Sequence, residues 1–373
     1  MIHRRRLLKS AAATVCLPAL YHLGAGSILA ADVADQAVEK KATKKIVARP
    51  KPNPYTDAKF VDGAPPLPAK DNFTVVVLPD TQHYSLEHPQ NFHAQTEWIV
   101  ANVKDRRIAS VLHLGDITHR STLPEWEVAQ AAMNRLDGKV PYFIVPGNHD
   151  YSDGKSLCVD RTTHFNDYFP LKKFQDTPTF GGVYDKEPER FENNFHTFSA
   201  GGRDFLVVGL EYGPRNDVVR WANEVVASHQ QHEAILVTHA YLYSDDTRYH
   251  WKKYGAKQSW NPHASGIAKS TNDDVQDGQD LWNNLVSKHD NFILTLNGHV
   301  QHDGLGHLQS KNAGNKNVHQ VLVNFQMKPN GGDGWLRLLE FSSDGKSIDA
   351  IDYSPTRNQC NVSDQNRFRM RFA

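Results

Sequence analysis

Residues 74–82 read Thr-Val-Val-Val-Leu-Pro-Asp-Thr-Gln, a short apolar run followed at once by polar side chains. A run of this kind predicts a strand that is buried on both faces, as in a parallel sheet. Working outward, helical spacing over 92–103, an apolar run over 110–114, helical spacing over 125–136 and a third apolar run over 140–145 continue the pattern. This order of strands and helices predicts right-handed crossovers and a parallel central sheet.

The later part of the chain predicts a second group of strands. They are expected over 205–210, 234–238, 291–296, 319–324 and 335–341, with helices over 217–228 and 279–289. The last two strands flank the turn signal Asn330-Gly331-Gly332, which predicts an antiparallel pair in a second sheet. Two loop-rich insertions, 151–195 and 241–277, are long for a compact domain, and loops of that length are usually functional or disordered.

Polar side chains follow the predicted strands at the points where the strands end. They are Asp80 and Gln82, Asp116, then Asn148 with His149 and Asp150, then His239, and last His299. Ligands bind at the carboxyl ends of strands in open α/β sheets, so these segments are expected to converge. Mixed oxygen and imidazole donors suit two borderline divalent cations such as Mn, Fe or Zn.

The ordered set resembles the calcineurin-like metallophosphoesterase superfamily. The resemblance covers roughly Phe73 to Asp303 and is most specific at Gly147-Asn148-His149-Asp150, while Leu-Pro-Asp-Thr-Gln at 78–82 is similar to an exported bacterial branch. It implies an α/β fold, a four-layer α/β/β/α sandwich with mixed sheets. It also implies a metal-dependent phosphohydrolase that cleaves a phosphate mono- or diester with metal-activated water at a dinuclear centre.

The resemblance implies a role for each of these positions. Asp116 would bridge the two metals, although an Asp after Gly115 also suits a helix N-cap. The other implied ligands are Asp80 and Gln82 at the first metal, and Asn148, His239 and His299 at the second. His149 would contact the phosphate and protonate the leaving group, with Asp150 orienting its imidazole.

The sequence departs from the family pattern at the first metal. Gln82 stands where many members have histidine, and the usual Gly-His-x-His reads Gly298-His299-Val300-Gln301-His302. Gln301, His302 brought in by a bulge, or water is therefore expected to complete this site. A binding protein that kept the fold and lost turnover is the alternative function. Four further histidines (His83, His113, His119 and His307) are expected to be structural or solvent-facing.

The first 31 residues have the layout of a signal peptide. His3-Arg4-Arg5-Arg6-Leu7-Leu8-Lys9 precedes a short apolar stretch, and its Arg-Arg-x-Leu-Leu-Lys core resembles a twin-arginine signal. An ordinary Sec signal is the alternative. The expected location is therefore periplasmic or secreted, and no later apolar run is long enough to cross a membrane.

The remaining chain is expected to divide into a Lys/Pro-rich linker over 32–71, a phosphoesterase domain over 72–355 and a C-terminal tail over 356–373. Cys158 and Cys360 follow the signal, and the sequence leaves open whether they pair.

Charge bears on the partners of the mature chain. Residues 1–31 hold four of the 42 basic side chains and no acidic ones, which leaves 38 basic against 42 acidic side chains. A slightly acidic protein argues against avid binding to nucleic acid. The expected partner is a small phosphorylated substrate. Arg215, after another strand, either approaches the phosphate or pairs with an acid, and the aromatic residues of 241–277 form either a stacking wall or a small core.

Overall fold

The computed structural model describes residues 55–152 and 158–372, which belong to the second of two compact units, Pro52–Ala373. The predicted signal peptide and most of the predicted linker lie outside the described residues. No described helix combines the length and the apolar character that a membrane span needs.

The strands are β1 Phe60–Asp62, β2 Phe73–Leu78, β3 Ile108–His113, β4 Tyr142–Ile144, β5 Phe180–Val183, β6 Asn194–Ala200, β7 Arg203–Leu210, β8 Glu233–Thr238, β9 Phe292–Asn297, β10 Leu305–Lys311, β11 Asn317–Val323, β12 Leu336–Phe341, β13 Ser347–Ser354, β14 Gln359–Asn361 and β15 Arg367–Arg371. The α-helices are α1 Gln82–Leu86, α2 Pro89–Asn102, α3 Leu123–Met133, α4 Phe165–Tyr168, α5 Leu171–Gln175, α6 Asn216–Ser228, α7 Trp251–Tyr254, α8 Gly266–Ser270, α9 Gly278–Asn284 and the single turn α10 Pro329–Gly332. Short 3₁₀ turns cover Asn134–Leu136, Asn148–Asp150, Gly255–Lys257, Pro262–Ala264 and Val286–Lys288.

The strands of the described residues form two mixed sheets. The first runs β1-β14-β13-β12-β2-β3-β4, with β15 paired to β13, and the second runs β10-β11-β9-β8-β7-β6-β5. Within the first, β2, β3 and β4 are parallel, as the strand and helix order predicts. Within the second, β7, β8, β9 and β11 are parallel. Two bundles of parallel carboxyl ends are thereby available to build one site.

Alternating side chains of each strand serve different layers. Val75 and Val77 of β2 pack with Val207 of β7 in the core between the two sheets. Val76, on the opposite face of β2, packs with Phe92 of α2 outside the first sheet. The outer face of the second sheet is covered in the same way by α6 and α9. The four-layer α/β/β/α sandwich is therefore confirmed.

The predicted hairpin around Asn330 is wrong. β11 lies in the second sheet, parallel to β9, whereas β12 lies in the first sheet between β2 and β13. Phe325 and Trp335, which bracket the connection, both pack into the core between the sheets, so the chain crosses from one sheet to the other there. The turn signal is real, because Asn330 and Gly331 have φ of 53° and 71°, but it serves a crossing.

The predicted C-terminal tail and the end of the predicted linker also belong to the fold. β14 and β15, within 356–373, both pair with β13, and β1, within 32–71, pairs with β14. These short strands extend the first sheet and bury residues such as Met370. The boundary at residue 355 was misplaced because β14 and β15 are too short to be recognised from the sequence.

The two cysteines of the described residues are buried free thiols. Cys158 packs in the core outside the second sheet, and Cys360 packs in the core outside the first sheet. They occupy opposite outer layers of the sandwich and therefore do not pair.

Candidate metal centre

The predicted polar positions meet where the two sheets present their parallel carboxyl ends. Asp80, Asp116 and Asn148 follow β2, β3 and β4, which are neighbours in the first sheet. His239 and His299 follow β8 and β9, which are neighbours in the second. Packing one sheet on the other brings the two sets face to face, as strand-end placement predicts.

The tightest group consists of Asp116, His239 and His299. One carboxylate oxygen and one nitrogen of each imidazole lie within 4.8 Å of one another, and all three residues are buried. His239 Nε2 lies 3.1 Å from Asp116 Oδ1. Three ligating atoms this close suit one divalent cation.

Backbone carbonyls orient both imidazoles of this group. His239 Nδ1 lies 2.8 Å from the Leu114 carbonyl, and His299 Nε2 lies 2.9 Å from the Trp260 carbonyl. A carbonyl only accepts, so each of these nitrogens carries the proton. His239 Nε2 and His299 Nδ1 are left with lone pairs, which is how proteins prepare histidines to ligate metals.

Asn148 supplies an independent observation in favour of a cation. Its Oδ1 is buried and finds no hydrogen-bond partner among the described residues. Buried side-chain oxygens are rarely left in that state, because the desolvation cost is not recovered. A cation at the group of Asp116, His239 and His299 would satisfy this oxygen.

The pKa shifts of the buried cluster also favour a bound cation. Burial would raise the pKa of Asp116, but His239 and His149 hold it well below its usual range. Burial opposes a proton on His239, yet Asp116 and Asp80 raise its pKa to about 9. Burial raises the pKa of Asp80 to about 8, and burial lowers the pKa of His299 to about 3. In the protein without metal, a second proton on His239 at Nε2 offsets the charge of Asp116, and a divalent cation would displace that proton and take over its role.

Two glycines allow the carboxylates into position. A Cβ on Gly147 would lie 2.2 Å from Asp116 Oδ1, and a Cβ on Gly298 would lie 2.0 Å from Asp80 Oδ1. Any larger residue at either position would displace a carboxylate. The glycines of the motifs are therefore required by close approach.

Amides surround Asp80, the predicted ligand of the first metal. The His299 backbone N–H donates to both Asp80 oxygens at 3.1 Å, and Asn324 Nδ2 and Gln326 Nε2 donate to Oδ2 at 2.9 and 3.0 Å. Gln82 is buried and donates to Gln326 Oε1. Asn324 and Gln326 were not predicted from the sequence. Both fall at or just after the end of a predicted strand, which is the feature that identified the other positions.

His302, one of the three candidates to complete the first metal site, lies away from the centre. It is exposed, has φ of 56°, and its Nε2 lies 2.9 Å from the Tyr243 hydroxyl. Gln301 is exposed as well. The chain leaves the centre immediately after His299, because the left-handed backbone at His299 (φ 71°) turns it outward.

His149 lies beside the centre, and its Nε2 has no hydrogen-bond partner among residues 55–152 and 158–372. Its backbone N–H donates to Asp116 Oδ1 at 2.9 Å, and its Nδ1 donates to the His119 carbonyl at 2.8 Å. Nε2 is thereby directed away from the backbone. His119, expected to be structural, stacks between His83 and His149, with ring centroids 5.0 and 5.1 Å away, and its Nδ1 lies 3.2 Å from Gln82 Oε1.

Asp150 does not orient His149, contrary to the prediction. Its buried carboxylate accepts from the backbone N–H groups of Gly147, Ile117 and Thr118 at 2.8 to 3.1 Å, and from the Thr118 hydroxyl at 2.8 Å. It ties the turn after β4 to the turn after β3. Asp150 is therefore a positioning residue for the segments that carry Asp116 and Asn148.

The second insertion covers part of the centre. Its Leu242 exchanges two hydrogen bonds with the Asn297 side chain at 3.0 and 3.1 Å, and His263 is bonded to both Asp273 and Asp280. Of the aromatic residues of the insertion, Tyr249 is fully buried and so belongs to a small core, whereas Trp260 is 47% exposed.

Arg215 pairs with acids, as one of the two expectations had it. It forms ion pairs with Glu187 and Glu211 at 2.7 and 2.9 Å.

Comparisons with known proteins agree with this arrangement. The family model of the calcineurin-like phosphoesterases matches residues 73–337. The uncharacterized protein YvnB of Bacillus subtilis is 29% identical over 310 residues, which are 81% of this chain and 21% of that protein. The DNA double-strand break repair protein Mre11 of Haloferax volcanii is 36% identical over 76 residues, 20% of this chain and 17% of that one.

This chain thus spans about a fifth of the length of these relatives. Among solved structures, a purple acid phosphatase from yellow lupin is similar with a TM-score of 0.44 and 15% identity, covering 83% of this chain and 55% of that one.

Proposed function

Because this chain belongs to the calcineurin-like phosphoesterase family, we propose that it is a metal-dependent hydrolase of phosphoric esters. The observation that carries the proposal is the buried group of Asp116, His239 and His299, together with the unpartnered oxygen of Asn148, whose neighbour His149 donates its backbone N–H to Asp116. The substrate is a small phosphate mono- or diester, and the site holds two divalent cations.

The protein residues have separate tasks in this reaction. Divalent cations, when bound, supply Lewis-acid activation of phosphate oxygens and of the attacking water. Asp116 presents its carboxylate between the two sheets and, by accepting from the His149 backbone N–H, places that imidazole beside the phosphate. His149 Nδ1 is held by the His119 carbonyl, so a proton passes to the leaving oxygen from Nε2.

Metal removal tests the proposal directly. Treating the protein with a chelator should lower hydrolysis of p-nitrophenyl phosphate at least about 100-fold, and added Mn²⁺ should restore it. Comparison of this ester with bis-p-nitrophenyl phosphate will separate monoesterase from diesterase activity. Protein that binds Mn²⁺ and phosphate but hydrolyses neither ester would be a binding protein on the same fold instead.

We further propose that the protein works outside the cytoplasm, after export by the twin-arginine pathway. The support is the sequence Arg4-Arg5-Arg6-Leu7-Leu8-Lys9 ahead of a short apolar stretch. Changing Arg4 and Arg5 to lysine should retain the precursor in the cytoplasm, as cell fractionation would show. An ordinary Sec signal would tolerate the change because the charge is kept, so unchanged export would contradict the twin-arginine route.

A further inference from the structure

We propose that Gln326, together with Gln82 and the carboxylates Asp80 and Asp116, forms an oxygen-only first cation site in place of one that contains imidazole. The inference deepens the proposed function and rests on it only in assuming that the centre takes two cations. It assigns a ligand role to Gln326, a residue that was not predicted from the sequence, and removes His302 from the site.

Gln326 is placed for this role by the end of β11. Its side chain is 5% exposed, and its terminal amide touches both Asp80 and Gln82. Asn324 holds this position, because its Oδ1 accepts the Gln326 backbone N–H at 2.9 Å. The Asn324 amide is thus fixed with its Nδ2 on Asp80 Oδ2, at 2.9 Å.

The amides of Gln82 and Gln326 can present oxygen where they now present nitrogen. The two ends of a terminal amide have nearly the same shape, so a half-turn exchanges acceptor for donor at little steric cost. Gln326 donates to Asp80 Oδ2 and accepts from Gln82, so its two amide atoms already contact both residues of the proposed site. A cation bound by Asp80 would attract both amide oxygens.

The geometry of the alternative ligands supports the same assignment. His302 is exposed and its Nε2 is engaged by the Tyr243 hydroxyl, and Gln301 is also exposed. His119 Nδ1 lies 3.2 Å from Gln82 Oε1, so the His119 imidazole contacts the Gln82 amide. Among the side chains of 55–152 and 158–372 that touch Asp80, both Asn324 and Gln326 offer amides, and only the Gln326 amide also meets Gln82.

The donor set predicts different metal preferences for the two positions. Carboxylate and amide oxygens suit Mg²⁺ and Mn²⁺, whereas a position with two imidazoles suits Zn²⁺ or Fe. The first position should therefore exchange Mn²⁺ for Mg²⁺, and the second position, with His239 and His299, should resist Mg²⁺.

Binding of Mn²⁺ to chelator-treated protein, followed by the electron paramagnetic resonance signal of free Mn²⁺, tests the assignment without relying on turnover. The parent should bind two Mn²⁺ per chain, one of them displaced by excess Mg²⁺. Gln326→Ala should lower the Mn²⁺ affinity of that exchangeable position at least about 10–100-fold. A loss of this size is usual even for a residue that only hydrogen-bonds a metal ligand. The other position should keep its affinity.

Matched variants separate a ligand from a structural residue. Gln326→Glu should bind the exchangeable Mn²⁺ as tightly as the parent or more tightly, because its carboxylate supplies a charged oxygen ligand. This variant also tests the assignment if Gln326→Ala does not fold. Gln301→Ala and His302→Ala should bind like the parent. Parent-like binding by Gln326→Ala, or loss of the exchangeable Mn²⁺ in His302→Ala, would overturn the assignment. A parent that hydrolyses phosphate esters with a single Mn²⁺ would also overturn it while leaving the proposed reaction intact.

Discussion

Asp116→Asn is expected to lower kcat/KM for phosphate esters by about 10³-fold or more, because it removes the carboxylate that is proposed to bridge the two cations. A bound metal contributes several kcal/mol of transition-state stabilisation, and about 4 kcal/mol corresponds to that loss. The substitution is conservative in every other respect. Asp116 has φ of 49°, a left-handed conformation that asparagine adopts readily, and the new Oδ1 can still accept the His149 backbone N–H.

The measurement pairs steady-state kinetics with the metal content of the same preparation. The variant should lose bound metal together with activity and should unfold, metal-free, at a temperature close to that of the metal-free parent. Asp105→Asn, an exposed carboxylate changed in the same way, is the control and should leave both quantities unchanged. An Asp116→Asn protein that keeps its metals and its activity would rule out the bridging role.

His149→Ala is expected to lower kcat by roughly 10²–10⁴-fold, the usual contribution of a positioned general acid. The loss should depend on the leaving group. An alkyl phosphate, whose leaving oxygen needs the proton, should show the full effect, and p-nitrophenyl phosphate a much smaller one. The Nδ1 hydrogen bond to His119 fixes the imidazole, so the deletion removes an oriented Nε2.

Metal content distinguishes this effect from damage to the centre. The His149 side chain lies outside the group of Asp116, His239 and His299, so the variant should bind Mn²⁺ like the parent. His93→Ala, on the surface of α2, is the control and should have parental kinetics. An equal loss for alkyl and aryl esters would contradict a proton-donating role for His149.

The α/β class and the strand-end positions of Asp116, Asn148, His239 and His299 were predictable because both depend on local sequence. Each central strand is a short apolar run that ends in one or two polar residues, so parallel strands carry these side chains to the carboxyl ends of the sheets. The glycines at 147 and 298 are readable for the same reason, since close approach leaves no room for a side chain.

The contacts of Asp80 at the proposed first cation position could not be predicted in the same way, because they depend on how distant segments meet. Asp80 and Gln326 are 246 positions apart, and their contact exists only because the chain crosses from β11 in one sheet to β12 in the other. The short strands β14 and β15 were missed as well, since pairing with β13 stabilises them rather than their own sequence.

Asp150 and His302 show which features of the site the sequence determines and which only the tertiary structure decides. The sequence alone determined that this protein is an α/β protein with a parallel central sheet and with acids, amides and imidazoles at its strand ends, because apolar periodicity and strand-end position are local properties. Only the tertiary structure decided that the Asp150 carboxylate bonds the backbone of the turn after β3 and that His302 turns out to Tyr243. Hydrogen-bond partners and the direction of a turn are set by neighbours remote in the chain, and no spacing of residues encodes them.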